Sequence, residues 1–322
     1  GERALIERIE RLIREADLRP PDVVDVILGI GDDAAAWRHR QGVEVATTDT
    51  MVEGVHFRQT TSSWEDVGWK SWSSNVSDIA AMGGVPIAGL VTLGLPSALD
   101  VGAVDALYHG MLDACHRYGT VLVGGDIVSS PTPFVTVSMS GDCTYAPLTR
   151  SAARVGDVVA VTGPVGASCG GLRLLEESSA DESLEHRALL FAHRRPSARP
   201  EIGQRLAHLG VNCAMDISDG LSTDLQRLVV ASGVGARIDV SRLPVATALL
   251  RVFPDEALQL ALAGGEDYEL LFTAQQRTCE VLAAEFPEVT VIGEVVPGEL
   301  VSYVDAVGEP FELTAEAWEH LH

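Results

Sequence analysis

The chain has 322 residues and a formal net charge of −23, from 46 acidic and 23 basic residues. That excess excludes sequence-independent binding to nucleic acid or anionic lipid, which needs a basic surface. Hydrophobic residues make up 46% of the chain, ample for two domains or one large one, and no apolar run approaches the roughly 20 residues of a membrane-spanning helix.

In chain order, "ERALIERIERLIREA" places Leu5, Ile6, Ile9, Leu12 and Ile13 at helical spacing. "VVDVILGIGDD" reads as a strand closed by glycine and paired aspartates, and "VEVATT" as a strand ending near Thr47 before a polar loop. "WEDVGWKSWSSNVSDIAAMGG" reads as a helix stopped by Gly83 and Gly84, with Trp64, Trp69 and Trp72 as packing residues. A buried strand, "IAGLVTLGLP", and a helix, "VDALYHGMLDACHRYG", follow. "TVLVGGD" is a strand ending in glycine and aspartate, and "FVTVSMSGDC" alternates as another. The polar stretch "TYAPLTRSAARVGD" separates the halves.

The second half interleaves "VVAVTGPVG" (strand and turn), "CGGLRLLEE" and "RPEIGQRLAHLG" (helices), and "CAMDISDGLSTDLQRLVVASG" (strand, turn, helix). "GARIDV", "DYELLFTA" and "TVIGEVV" read as strands, and "ALQLALAGG" as a helix. Strands and helices alternate irregularly in both halves, which predicts an α+β chain of two mixed α/β domains, 1–145 and 146–322, rather than one doubly wound sheet.

The five cysteines are scattered and show no C-x-x-C spacing; reduced thiols and a cytoplasmic setting are expected. Lys70, the sole lysine, sits in "GWKSW", so the chain has no G-x-x-x-x-G-K-[ST] phosphate loop, and it lacks the H-R-D and D-F-G pattern of protein kinases.

The aspartates form a pattern instead. Asp32 and Asp33 follow "VILGIG", Asp49 follows "VEVATT", Asp126 follows "TVLVGG", Asp216 and Asp219 lie in "CAMDISDG", and Asp78 lies in "SNVSDIAAMGG". Each alone could be a turn residue or helix N-cap. As a set they lie beside small residues near apolar strand-like runs, where strand ends can converge on a cleft. Converging carboxylates either raise their pKa values or bind a cation. Oxygen donors without paired histidines or thiolates favour Mg²⁺ over zinc, and Mg²⁺ commonly completes its shell with substrate phosphates.

"GIGDDAA", "TTDTMVEGVHF", "NVSDIAAMGGVP", "VGGD", "LTRSAARVGD", "RPSARPEIGQRL", "MDISDGLSTDL" and "GGEDYELLFT" occur in this order. Together they resemble the thiamine-monophosphate kinase family of the aminoimidazole ribonucleotide synthetase-like ATP-binding superfamily, from Glu2 to Trp318. The resemblance implies an N-terminal domain that binds ATP and Mg²⁺ and forms the dimer sheet, and a C-terminal α+β domain. It implies a metal shell of Asp33, Thr47, Thr48, Asp49, Asp78, Asp126, Asp216 and Asp219, with Asp32 in support. ATP contacts would come from Tyr108, Gly125, Asp126, Arg150 and Ser218. Thiamine monophosphate would be held by His56, Glu266 and Trp318. A homodimer with several Mg²⁺ ions is expected, and no nucleic-acid or membrane partner.

The implied reaction is in-line transfer of the ATP γ-phosphoryl group to thiamine monophosphate, giving thiamine diphosphate. A phosphate monoester is already a nucleophile at neutral pH, so no covalent intermediate and no catalytic nucleophile are expected. Two alternatives remain. A sister synthetase of the superfamily is one, although the segment before Gly29 lacks the cysteine and lysine of selenophosphate synthetases and the chain ends "EHLH" rather than in the reactive cysteine of the hydrogenase maturation factor. The other is a non-catalytic Mg-nucleotide binding protein.

Overall fold

A computed structural model describes residues 2–19, 24–28, 36–39, 42–96 and 100–314. The chain divides into two compact units, one comprising Gly1–Ile79 and Gly84–Tyr145, the other Ala80–Gly83 and Ala146–His322.

The first unit runs α1 (Glu2–Glu15), β1 (Val24–Leu28), β2 (Ala36–His39), β3 (Val43–Val52), α2 (Trp64–Ala81), β4 (Val85–Leu95), α3 (Val101–Tyr118), β5 (Val121–Ser129) and β6 (Phe134–Cys143). The last two residues of α2 group with the second unit. β1 and β2 form an antiparallel pair. The main sheet has the order β3-β6-β4-β5, with β4 and β5 parallel and the other pairs antiparallel. Its register aligns two lateral rows. One is Asp49–Val137–Val91–Gly125, the other Thr50–Thr136–Thr92–Asp126.

Paired residues share a face and successive residues alternate, so these rows lie on opposite faces. Val91 and Val137 are buried. Thr50 and Asp126 are exposed. One face thus carries the core and the other is open in this chain. Trp72 of α2 is wholly buried and its indole N–H donates to the Thr120 hydroxyl at 2.8 Å, a polar partner that a buried tryptophan needs. Trp64 packs edge-on against Phe57.

The structure lengthens two strands. β3 continues past Thr47 to Val52, and β5 continues past Asp126 to Ser129. In both cases pairing with a neighbour carries the chain through residues that are weak strand formers on their own.

The second unit runs β7 (Val158–Val161), α4 (Ala167–Glu176), α5 (Leu184–Arg194), α6 (Pro200–His208), β8 (Cys213–Asp216), α7 (Leu221–Ser232), β9 (Gly235–Asp239), α8 (Thr247–Val252), α9 (Ala257–Ala263), β10 (Leu270–Ala274), α10 (Gln276–Glu285), β11 (Thr290–Val296) and β12 (Val301–Val304). Its sheet has the order β12-β9-β11-β7-β10-β8, antiparallel except for the β12–β9 pair. Alternation divides the strands between two cores. Val159, Val161, Met215 and Leu271 join one cluster with Leu174, Leu225 and Leu249. Ala160, Ala214, Leu270 and Phe272 join another with Leu206 and Leu282. A sheet covered on both faces explains why these strands are continuously apolar in sequence.

Candidate functional site

In the first unit the structure joins Thr47 to Asp78 and sets Asp49 on the same face of β3 as Thr47. The Thr47 hydroxyl donates to Asp78 Oδ2 of α2 at 2.5 Å. Thr48 points the other way. Its hydroxyl donates to the Val137 carbonyl at 3.1 Å and lies 3.0 Å from Ser138 Oγ, so its side chain is separated from that group by the sheet. Asp126 is also separated: it lies in the outer strand β5 and on the open face, and its Oδ1 accepts from the Ile127 N–H at 2.9 Å. Asp49 and Asp126 therefore do not converge within one chain.

Gly125 precedes Asp126 in the same strand. A Cβ there would meet the Val91 carbonyl oxygen at 1.9 Å, so only glycine allows this close strand approach. Tyr108, expected as an ATP contact, lies in α3 at 3% exposure. Its ring is core packing in this chain and has little surface left for a nucleotide. His56 follows β3, where its Nδ1 accepts the Val52 N–H at 3.1 Å. That bond places the proton of the neutral ring on Nε2. Asp32, Asp33 and Trp318 lie outside the described residues.

In the second unit, Asp216 ends β8 and Ser218 and Asp219 form the turn into α7. The turn is held by Asp224, which is fully buried. Its Oδ2 accepts the N–H groups of Ser218 and Asp219, each at 3.0 Å, and its Oδ1 accepts from Arg227 at 2.9 Å. Arg227 also pairs with Asp219. Burial pushes the Asp224 carboxyl up to about 6, against the lowering effect of those hydrogen bonds. The sequence pattern did not single out Asp224 or Arg227. The available signal was an acidic residue in the first turn of the helix that follows "DISDG".

The "GGEDYEL" segment lies directly against this turn. The Glu266 N–H donates to the Ser218 carbonyl at 2.8 Å and the Tyr268 N–H to the Ile217 carbonyl at 2.9 Å. Glu266 and Tyr268 adopt positive φ values of 65° and 52°, an unusual conformation for residues with side chains and one often found at ligand sites. Asp267 Oδ2 accepts from the Gly166 N–H at 2.6 Å, so a carboxylate of the chain itself occupies the N-terminus of α4. Desolvation pushes Asp267 up to about 7. Glu269 receives a bidentate contact from Arg199, at 2.9 and 2.5 Å, and the Thr162 hydroxyl at 2.6 Å. Arg150 is exposed, and its backbone carbonyl accepts from Ser232 Oγ at 2.8 Å.

The expected metal donors are hydroxyl and carboxylate oxygens, a set whose chemistry fits Mg²⁺. Among the described residues, no three His, Cys, Asp or Glu side chains gather into a metal cluster. Also among the described residues, no helix is long and apolar enough to cross a membrane.

Residues 31–143 match the model for the N-terminal domain of AIR synthase related proteins, and residues 154–305 match the model for the C-terminal domain. Thiamine-monophosphate kinase of Bacillus subtilis (strain 168) is 41% identical over 266 residues, covering 81% of each chain. That of Escherichia coli (strain K12) is 36% identical over 333 residues, covering 100% of this chain and 98% of its own. Among solved structures, "AaThiL complexed with AMPPCP and TMP" is 34% identical with a TM-score of 0.80, covering 100% of this chain and 97% of that one. Thiamine-monophosphate kinase from Stenotrophomonas maltophilia K279a superposes with a TM-score of 0.82 at 34% identity, over 96% and 97% of the two chains. The hydrogenase maturation protein HypE in complex with ATP, at 19% identity and a TM-score of 0.74, shares the fold. The chain belongs to the AIR synthase related proteins and, within them, to the thiamine-monophosphate kinase family.

Proposed function

We propose that the protein transfers the γ-phosphoryl group of ATP to thiamine monophosphate. The bond from the γ-phosphorus to the β–γ bridging oxygen breaks, and a bond from that phosphorus to an oxygen of the substrate phosphate forms. The products are ADP and thiamine diphosphate. Membership of the kinase family over nearly the whole chain carries this reading, and a relative bound to AMPPCP, an ATP analogue, together with TMP supports it.

Mg²⁺, when bound, supplies neutralisation of the charge on two polyanions brought face to face. The residues that would hold it are, in the first unit, Asp33, Thr47, Asp49 and Asp78, with Thr48 and Asp126 on the other face of the sheet, and, taken separately in the second unit, Asp216 and Asp219. Arg150 offers charge-assisted hydrogen bonds to nucleotide phosphates, and Gly125 and Ser218 offer backbone-lined contacts. On the substrate side, His56 brings a neutral ring, Glu266 a carboxylate and Trp318 an indole suited to a cationic or flat heterocycle. The hydrogen bond from Glu266 to Ser218 supports a continuous arrangement of substrate and nucleotide groups in the second unit. The working form is a homodimer built through the first domain, its outer strands closing a sheet across a two-fold axis.

An assay of ADP release with ATP, Mg²⁺ and a panel of thiamine phosphates tests the reading. Release that depends on thiamine monophosphate is expected. Nucleotide binding without release, or release indifferent to the thiamine compound, would overturn it in favour of a binding protein or a sister synthetase.

A further inference from the structure

Ser168, His193 and Glu266 form a short chain of polar contacts in the second unit. A Cβ at Gly171 would meet the Leu189 carbonyl oxygen at 2.2 Å and the His193 Cβ at 2.9 Å. The glycine of α4 thus lets α5 lie close enough to bring His193, in its last turn, to Ser168 in the first turn of α4. His193 Nδ1 lies 3.1 Å from Ser168 Oγ and 3.4 Å from Glu266 Oε2. His193 is 5% exposed and Ser168 1%, whereas the Glu266 side chain keeps 28% of its surface.

The backbone of Glu266 is already fixed. Its N–H is held by the Ser218 carbonyl, and the next residue, Asp267, is anchored to the Gly166 N–H. The direction of the carboxylate is set by what its side chain meets, and His193 faces it. A proton on Nδ1 lets one buried ring donate toward both the Ser168 and the Glu266 oxygens. A buried polar ring is costly to desolvate, and its partners decide whether the cost is recovered. A hydrophobic residue would serve packing alone as well.

We propose that His193 is a positioning residue: with Ser168 it fixes the direction in which the Glu266 carboxylate meets thiamine monophosphate. This rests on the functional reading above, in which Glu266 contacts that substrate.

The test is a set of steady-state kinetics on the full chain. His193→Phe keeps a ring of similar size and removes the donor. His193→Asn keeps an N–H at the reach of Nδ1. His193→Phe should raise the KM for thiamine monophosphate by about 3-fold to 30-fold, with kcat and the KM for ATP within about 2-fold. His193→Asn should restore most of the affinity. In a Glu266→Ala background, His193→Phe should change the KM no further, because its target is gone.

An unchanged KM in His193→Phe would overturn the proposal, as would an equal rise in the Glu266→Ala background. So would equal damage in the Phe and Asn variants that follows a shared fall in melting temperature. If the unaltered protein releases no ADP in response to thiamine monophosphate, the functional reading falls and the positioning role falls with it. If it does and the coupling is absent, only the positioning role is overturned.

Discussion

The backbone N–H of Glu266 donates to the carbonyl of Ser218 at 2.8 Å. This bond joins two segments that are distant in sequence, "MDISDG" and "GGEDYEL", one carrying proposed nucleotide and metal groups and the other a proposed substrate group. Neither segment sets its own conformation. The first leans on Asp224 from within α7, and the second takes left-handed backbone at two residues with side chains to stay in register with the first.

Gly265→Ala tests that junction. A Cβ at this position would meet the Ser218 carbonyl oxygen at 2.4 Å, and backbone atoms cannot give way as the end of a side chain can. The two segments should be pushed apart, at a cost of about 1–3 kcal/mol in stability. The KM values for ATP and for thiamine monophosphate should rise together, because one bond positions both sides. Thermal unfolding and kinetics check this. A rise confined to one substrate would show that the two segments act separately.

Asp224→Asn probes the support beneath the turn. Burial raises the Asp224 carboxyl from 3.8 to about 6, so between these pH values the folded chain keeps a proton that the unfolded chain has lost. Stability from this group therefore falls as pH rises from about 4 to about 6, by up to ~1.4 kcal/mol per pH unit, and is flat on either side. Asparagine does not ionise, so the variant should lose that slope while keeping the shape of the site. It should also raise the KM for ATP, since the N–H groups of Ser218 and Asp219 lose a charged acceptor. Chemical denaturation across pH 3.5–7 would measure the slope. An unchanged slope would mean that Asp224 titrates alike in both states.

Much of this was legible in the sequence. The stripe of α1, the glycine stop after α2 and the apolar runs of β4, β7 and β10 each follow from a local rule of periodicity or punctuation. The two α+β units follow from how these elements alternate. What was not legible is set by tertiary pairing. Asp49 and Asp126 read as strand-end residues, yet both lie inside strands because β6 and β4 hold the chain extended beyond them. The face each takes depends on register, which one sequence does not display. Asp224 and His193 carry no distinctive signal in the sequence, because a lone acid or histidine in a helix acquires its role only from what packs against it. Tyr108 shows the converse, a residue marked by its motif that the core of this chain encloses.

The separation of Asp49 and Asp126 leads to a prediction about assembly. They lie in the two outer strands of a four-stranded sheet, in adjacent rows and on opposite faces. Three strand spacings amount to roughly 14 Å, whereas two aspartates on one Mg²⁺ ion, with bonds of about 2.1 Å, need their backbones within roughly 10 Å. One ion held by both thus requires β3 of one copy beside β5 of another, an arrangement that a two-fold dimer provides twice. Asp49→Asn and Asp126→Asn should each abolish most activity, at a cost of several kcal/mol in the transition state. Co-expressed with different tags, the two variants should recover about one quarter of the unaltered activity. Random pairing makes half of the dimers mixed, and each mixed dimer restores one of its two sites. Purification through both tags in series should double the recovery to about one half. Mixed dimers no more active than either parent would place Asp49 and Asp126 at separate ions, or leave one of them outside the metal shell.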